Sequence, residues 1–164
     1  MPDKRRTEFE HLIRGPFGFV EKREMSFRGV RLASSQDPRD AALIARYVGE
    51  DWRFDVAWSS PQLSLLILVR YVRQQWPNDL RHVLFESFIE YSTGGREMPV
   101  VPVITQRMSV SSVEAAMILR RERFAAGLHP VVSALAGRMQ RYMELVRSAS
   151  LVQVSGYHAW MASL

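Results

Sequence analysis

Between Trp52 and Trp58 the chain alternates strictly, with Trp52, Phe54, Val56 and Trp58 on one parity and Arg53 and Asp55 on the other. A period of two predicts a strand with one buried face. Ser59-Ser60-Pro61-Gln62 supplies turn chemistry, and Leu63 to Val72 then runs apolar on both parities, which predicts a central strand covered on both faces. Segments 52–58 and 63–72 together predict a hairpin. Met25, Phe27, Val30 and Leu32 predict another strand over 24–33. Residues 37–49 carry two patterns at once. Asp37 as cap, Pro38 at the first helical position and Gly49 as terminator favour a short helix, whereas Leu43, Ala45 and Tyr47 alternate as in a strand completing an antiparallel meander. The capping signals tip the reading to helix.

Elsewhere the period is helical. Thr7 with Glu10 has capping-box spacing ahead of Leu12 and Ile13, and Gly15-Pro16 ends that helix. Asn78 caps a predicted helix over 79–91, whose apolar positions cover most of the circumference and leave a narrow stripe of Asp79, His82, Glu86 and Glu90. Such a helix must be largely buried. Met98 to Ile104, with two prolines, reads as an edge strand or extended connector. Ser111 with Glu114 starts a further helix that Gly127 stops, and His129-Pro130 starts the longest one, in which Val131, Val132, Leu135, Met139, Tyr142, Met143 and Val146 form one continuous arc. Tyr157, Trp160, Met161 and Leu164 keep helical spacing, which predicts a short terminal helix folding back on the rest.

The 164 residues suit one domain, 1–164, of α+β class: a small antiparallel sheet built on the central hairpin, packed by a buried helix and a C-terminal helical pair. With no cysteine, disulfides, thiolate zinc sites and cysteine nucleophiles are excluded. The polar opening Met1 to Arg6 predicts no secretory signal, and the longest uncharged stretch, 17 residues from Ser148 to Leu164, is too short and too polar for a membrane span. A soluble cytoplasmic protein is the expectation.

The net charge of +5 raises the question of a polyanionic partner. The excess is spread thinly, at +2 over residues 1–28, zero over 29–112 and +3 over 113–164, so no basic tract emerges. Nucleic-acid binding, non-specific and salt-sensitive, therefore ranks third among the functional readings. Phosphate-loop, dinucleotide, serine-hydrolase, zinc-protease and EF-hand signatures are all missing.

The sharpest candidate chemistry is His82, Glu86 and Glu90. At spacings of four they stack on one face of the predicted helix, where they could act as acid and base or hold a metal, although the same stripe is what a solvated face looks like. As a solvated face, each tolerates alanine within about 0.5 kcal/mol, whereas Leu84→Ala or Phe88→Ala costs about 2–5 kcal/mol. Glu50, Asp51 and Asp55 form an acidic cluster, of which Asp55 is the most notable because the alternation places it on a sheet face beside Arg53. Arg120, lying within the apolar arc of its helix, is expected to pair with Glu86 or Glu90. Candidate partner-binding residues are Trp52, Trp58, Trp76 and Trp160 with Arg120, Arg121, Arg138 and Arg141. No cofactor and no resident metal are expected.

In element order this architecture is similar to many small bacterial immunity, antitoxin and accessory proteins, which act by tight association with one partner, although no motif carries the likeness. The leading expectation is a non-enzymatic protein-binding module, with self-association also open. A small enzyme or ligand binder using His82, Glu86 and Glu90 comes second.

Overall fold

Five strands and their helices follow the chain in a simple order. In the computed structural model, which describes residues 4–33, 42–59, 64–97 and 124–164, and the backbone alone at 64 and 124–127, α1 (Lys4–Arg14) and the short α2 (Gly18–Glu21) precede β1 (Ser26–Leu32), β2 (Leu43–Val48), β3 (Trp52–Ser59) and β4 (Ser64–Tyr71). A 3₁₀ turn at Asn78–Leu80, β5 (His82–Leu84), α3 (Phe85–Ser92), α4 (Phe124–Arg147) and α5 (Leu151–Ala162) follow. All strand pairs are antiparallel and the sheet order is β1-β2-β3-β4-β5, an uninterrupted meander. The α+β architecture with a C-terminal helical pair is as the sequence predicts.

Parity decides which face each strand buries. Leu43, Ala45 and Tyr47 of β2, Trp52, Phe54, Val56 and Trp58 of β3, Leu65, Ile67, Val69 and Tyr71 of β4 and Val83 of β5 all point into one core. Phe9, Leu12 and Ile13 of α1, Phe88 and Ile89 of α3, Met139, Met143 and Val146 of α4, and Val154 and Tyr157 of α5 complete it. Arg6 pins α1 to the sheet by donating to the Val30 carbonyl at 2.6 Å. Next to that contact a bulge between Phe27 and Val30 shifts the β1 register, and Gly29 takes φ +93°, a conformation that side chains disfavour.

Several expectations are corrected. Residues 43–48 form a strand and not part of a helix, because pairing on both edges, Tyr47 with Phe54 on one side and with Phe27 on the other, outweighs local capping signals; Asp37 and Pro38 lie outside the described residues. The segment 79–91 is three elements. Leu84 is extended, with φ −81° and ψ 124°, so α3 begins only at Phe85, and His82 belongs to β5. An apolar circumference that looked like one buried helix was a strand joined to a helix. Leu84 is 39% exposed, so Leu84→Ala belongs with surface substitutions. Among the described residues the helices cover β4 on one face only, and Leu66 is 37% exposed on the other. Thr7 lies inside α1 and does not cap it. In α4 the helix runs through Gly127 and Pro130 from Phe124 onward, so neither residue marks a boundary. The expected strand at 98–104 and the start of the helix at Ser111 lie outside the described residues.

The C-terminal hairpin of helices turns at Ser150, whose hydroxyl accepts from Gln153 N–H while the Gln153 side chain accepts from Ser150 N–H, a complete capping box. α5 then packs on α3 through Tyr157, edge-on to Phe88 at 5.5 Å, and through Trp160 against Tyr91 at 5.6 Å. Gly156 permits this approach, since a β-carbon there would overlap the Tyr91 hydroxyl. Gly156→Ala is expected to destabilise by about 1–3 kcal/mol through overpacking, and Gly156→Ala combined with Tyr91→Phe to recover part of the loss. Urea denaturation of the two variants checks this, and an unchanged midpoint for Gly156→Ala refutes the close approach.

Candidate anion-binding face

The polar parity of the meander gathers on the sheet face opposite the core, which no described helix buries. Cross-strand register arranges it in rows. Val48, Arg53, Arg70 and His82 lie side by side across β2 to β5, and Arg46, Asp55, Leu68 and Leu84 form the next row. Ile44, Ala57 and Leu66 form a third, with Arg31 at its β1 end. Each placement follows from the period of two that the sequence displays in β3.

Within these rows a shallow recess of about 150 Å³ is lined by Arg31, Arg46, Arg53, Asp55, Leu68, Arg70 and His82. Among the described residues, four guanidiniums therefore meet one carboxylate. Asp55 is already engaged, accepting from Arg46 Nε at 2.8 Å and from Arg46 Nη2 at 2.9 Å in a two-point ion pair across β2 and β3. The Asp55 hydrogen bond holds the Arg46 guanidinium even more firmly protonated than usual. Arg53 moves the other way: burial lowers its pKa, and Arg46 and Arg70 add like-charge repulsion. Arg70 Nε is buried and has no hydrogen-bond partner.

His82 shares this environment. Burial, then Arg70, Arg53 and His158, push its pKa below the ordinary histidine value, while Asp55 opposes them, so the imidazole is neutral near pH 7. Its placement on β5 separates it from Glu86 and Glu90, which lie on α3. The three do not form one helical stripe, because the helix that would stack them begins after His82. Glu86 turns instead to Arg138 of α4, accepting from Nε at 3.1 Å, and Arg138 Nη1 also donates to Glu97 at 3.2 Å. Arg141 pairs with Glu97 at 3.3 Å, and the Tyr142 hydroxyl hydrogen-bonds the same carboxylate, holding its pKa below the usual range. Arg120, the expected partner of Glu86 or Glu90, lies with Arg121 outside the described residues. Among the described residues no three His, Asp or Glu side chains come together as a metal site.

The other candidates disperse. Asp51 accepts from Arg73 Nε at 3.0 Å while Asp55 accepts from Arg46, so the two aspartates of the acidic cluster serve separate ion pairs. Trp52 and Trp58 are core side chains at 2% and 0% exposure, because their parity faces the helices. Trp76 and Trp160 are half-buried, Trp76 against Tyr71 at 4.9 Å. The residues that sequence reasoning missed are Arg31, Arg46 and Arg70. Only strand register reveals them as neighbours, although the pairing of Arg53 with Asp55 on one parity was a visible signal of a polar face. No described helix is long and apolar enough to cross a membrane. Compared with protein-family models, with curated proteins and with solved structures, the chain matches none.

Proposed function

We propose that the protein is a non-catalytic binding module whose recognition surface is the sheet face that no described helix covers and whose partner is a protein segment bearing acidic side chains. The observation that carries this reading is the imbalance of four guanidiniums against one carboxylate in a recess bordered by Leu66, Leu68 and Leu84. Basic groups flanked by exposed leucines suit an acidic segment with apolar neighbours, which gains both charge pairing and apolar burial. Nucleic acid is disfavoured, since the described residues lining the recess include no Phe, Tyr or Trp on which successive bases would stack. Catalysis is disfavoured by the state of Asp55, whose carboxylate is occupied by Arg46 instead of orienting His82.

Selection of a displayed random peptide library on the purified protein tests the reading. Enrichment of peptides combining Asp or Glu with apolar residues is expected, with affinity falling as salt rises and dropping at least about tenfold in Arg53→Glu and in Leu68→Asp. Selected peptides without acidic residues, or peptides that bind both variants as well as the unaltered protein, overturn it.

A further inference from the structure

The rows of the sheet face contain a local imbalance that an acidic partner in general does not explain. Arg53 and Arg70 are direct cross-strand neighbours, and His82 follows in the same row. Directly opposed like charges destabilise a sheet, since facing β-carbons are only about 4.5–5.5 Å apart. Among the described residues Asp55 is the one carboxylate lining the recess, and Arg46 binds it at two points, which leaves Arg53 and Arg70 with no other described counter-charge there and Arg70 Nε buried without an acceptor.

We propose that Arg53, Arg70 and His82 form a binding site for a dianionic phosphoryl group, the inference resting on the reading of this face as the recognition surface. Charge decides the ligand class. With Arg46 and Asp55 neutralising each other, Arg31, Arg53 and Arg70 leave three positive charges among the described residues of the recess, two of them on the directly facing Arg53 and Arg70, which a dianion offsets more fully than a single carboxylate does. Guanidiniums match phosphate oxygens with paired N–H donors, and a buried, unpaired Nε is the donor such an oxygen satisfies. The recess, at about 150 Å³, has roughly ten times the volume one water needs, so a tetrahedral oxyanion has room. Leu68 in its lining gives the remainder of the ligand an apolar contact.

His82 provides a readout independent of affinity. The groups acting on it are Arg70 on β4, Arg53 and Asp55 on β3, and His158 on α5. With burial first and the cations next holding its pKa below the ordinary histidine value, it is neutral near pH 7. A bound dianion reverses the local field and raises its pKa, so the imidazole takes up a proton and gains a second donor.

Titration of the folded protein with inorganic phosphate, followed by NMR of the histidine side chains with His82 assigned from a His82→Asn variant, tests the site. Saturable shifts at His82 with an increase in its pKa are expected for phosphate, with neither for acetate nor for chloride at equal ionic strength. Arg70→Gln is expected to weaken phosphate at least about tenfold, while Arg141→Gln, at an exposed arginine on α4, leaves it unchanged. Chloride matching phosphate, or undiminished phosphate binding in Arg70→Gln, overturns the proposal. A selected acidic peptide carrying phosphoserine distinguishes the source: tighter binding than its serine form assigns the phosphoryl group to a partner's side chain, and equal binding assigns it to a free anion. If phosphate fails while acidic peptides still bind this face, the phosphoryl site falls and the recognition surface stands; if both fail, both fall.

Discussion

Phe88→Ala is expected to lower the stability of the protein by about 3–5 kcal/mol, read as a shift of the urea midpoint with little change in slope. Phe88 is 1% exposed and sits on the inner side of α3, where its ring meets the edge of Tyr157 from α5 at 5.5 Å. Truncation removes a large buried surface and one partner of an aromatic pair, and leaves a cavity whose walls come from two helices and the sheet. Those walls resist collapse. Tyr157 is held by its hydroxyl, which accepts from Leu84 N–H at 3.3 Å and lies 3.0 Å from the Ser87 hydroxyl. Leu84→Ala, in the adjoining strand β5 but exposed, is the control and is expected to cost less than about 1 kcal/mol. Equal losses for the two variants refute the assignment of His82–Leu84 to a strand with Leu84 outward.

Arg73→Ala is expected to cost about 2–4 kcal/mol. The Arg73 guanidinium closes the end of α4, donating from Nη1 to the Ala149 carbonyl at 2.5 Å and from Nη2 to the Arg147 carbonyl at 2.6 Å. Nε donates to Asp51 at 3.0 Å, and the planar group lies over the Trp76 and Tyr71 rings at 4.7 and 5.0 Å. The last carbonyls of a helix lack partners within it and carry its negative end, so a cation with several donors at this point satisfies both needs. Hydrogen bonds from charged donors contribute about 1.5–3 kcal/mol each, and the exposure of the Asp51 carboxylate, at 50%, leaves that ion pair a minor share. Lysine is a poor substitute, because one ammonium cannot reach both carbonyls while stacking on two rings. Arg73→Lys is accordingly expected to recover less than half of the loss. Hydrogen exchange should accelerate at the amides of α5, whose start Arg73 anchors. A loss below about 0.5 kcal/mol, with α5 exchange unchanged, refutes the clamp.

Legibility in the sequence followed the range of the interactions concerned. β3 was readable because its alternation is strict and each parity is chemically uniform, and the inward arc of the C-terminal helix was readable because Leu135, Met139, Met143 and Val146 keep helical spacing and all become core. Asp55 beside Arg53 on an open face was also foreseen from parity alone. The errors fall where two elements meet without a turn residue between them. From Leu80 to Tyr91 no glycine or proline separates β5 from α3, so apolar residues of a strand and a helix merged into one apparent helical surface, and His82 was stacked onto Glu86 and Glu90. At 43–48 the local signals were real but weaker than two neighbouring ladders.

The period of hydrophobic positions was enough to establish an α+β domain with a central hairpin and an amphipathic C-terminal pair, because burying one face is a property each element carries along its own length. Which cations stand next to one another was not such a property. Arg46, Arg53 and Arg70 are seven and seventeen residues apart and become neighbours only through the register of β2, β3 and β4, which is set by how Tyr47, Phe54 and Val69 pack in the core on the opposite face. The same packing turned an apolar strand such as β4 outward at Leu66 and Leu68, since the described helices cover one side of the sheet. The arginine-lined face is thus a by-product of core register, and pairwise geometry across strands, invisible to any one segment, decided it.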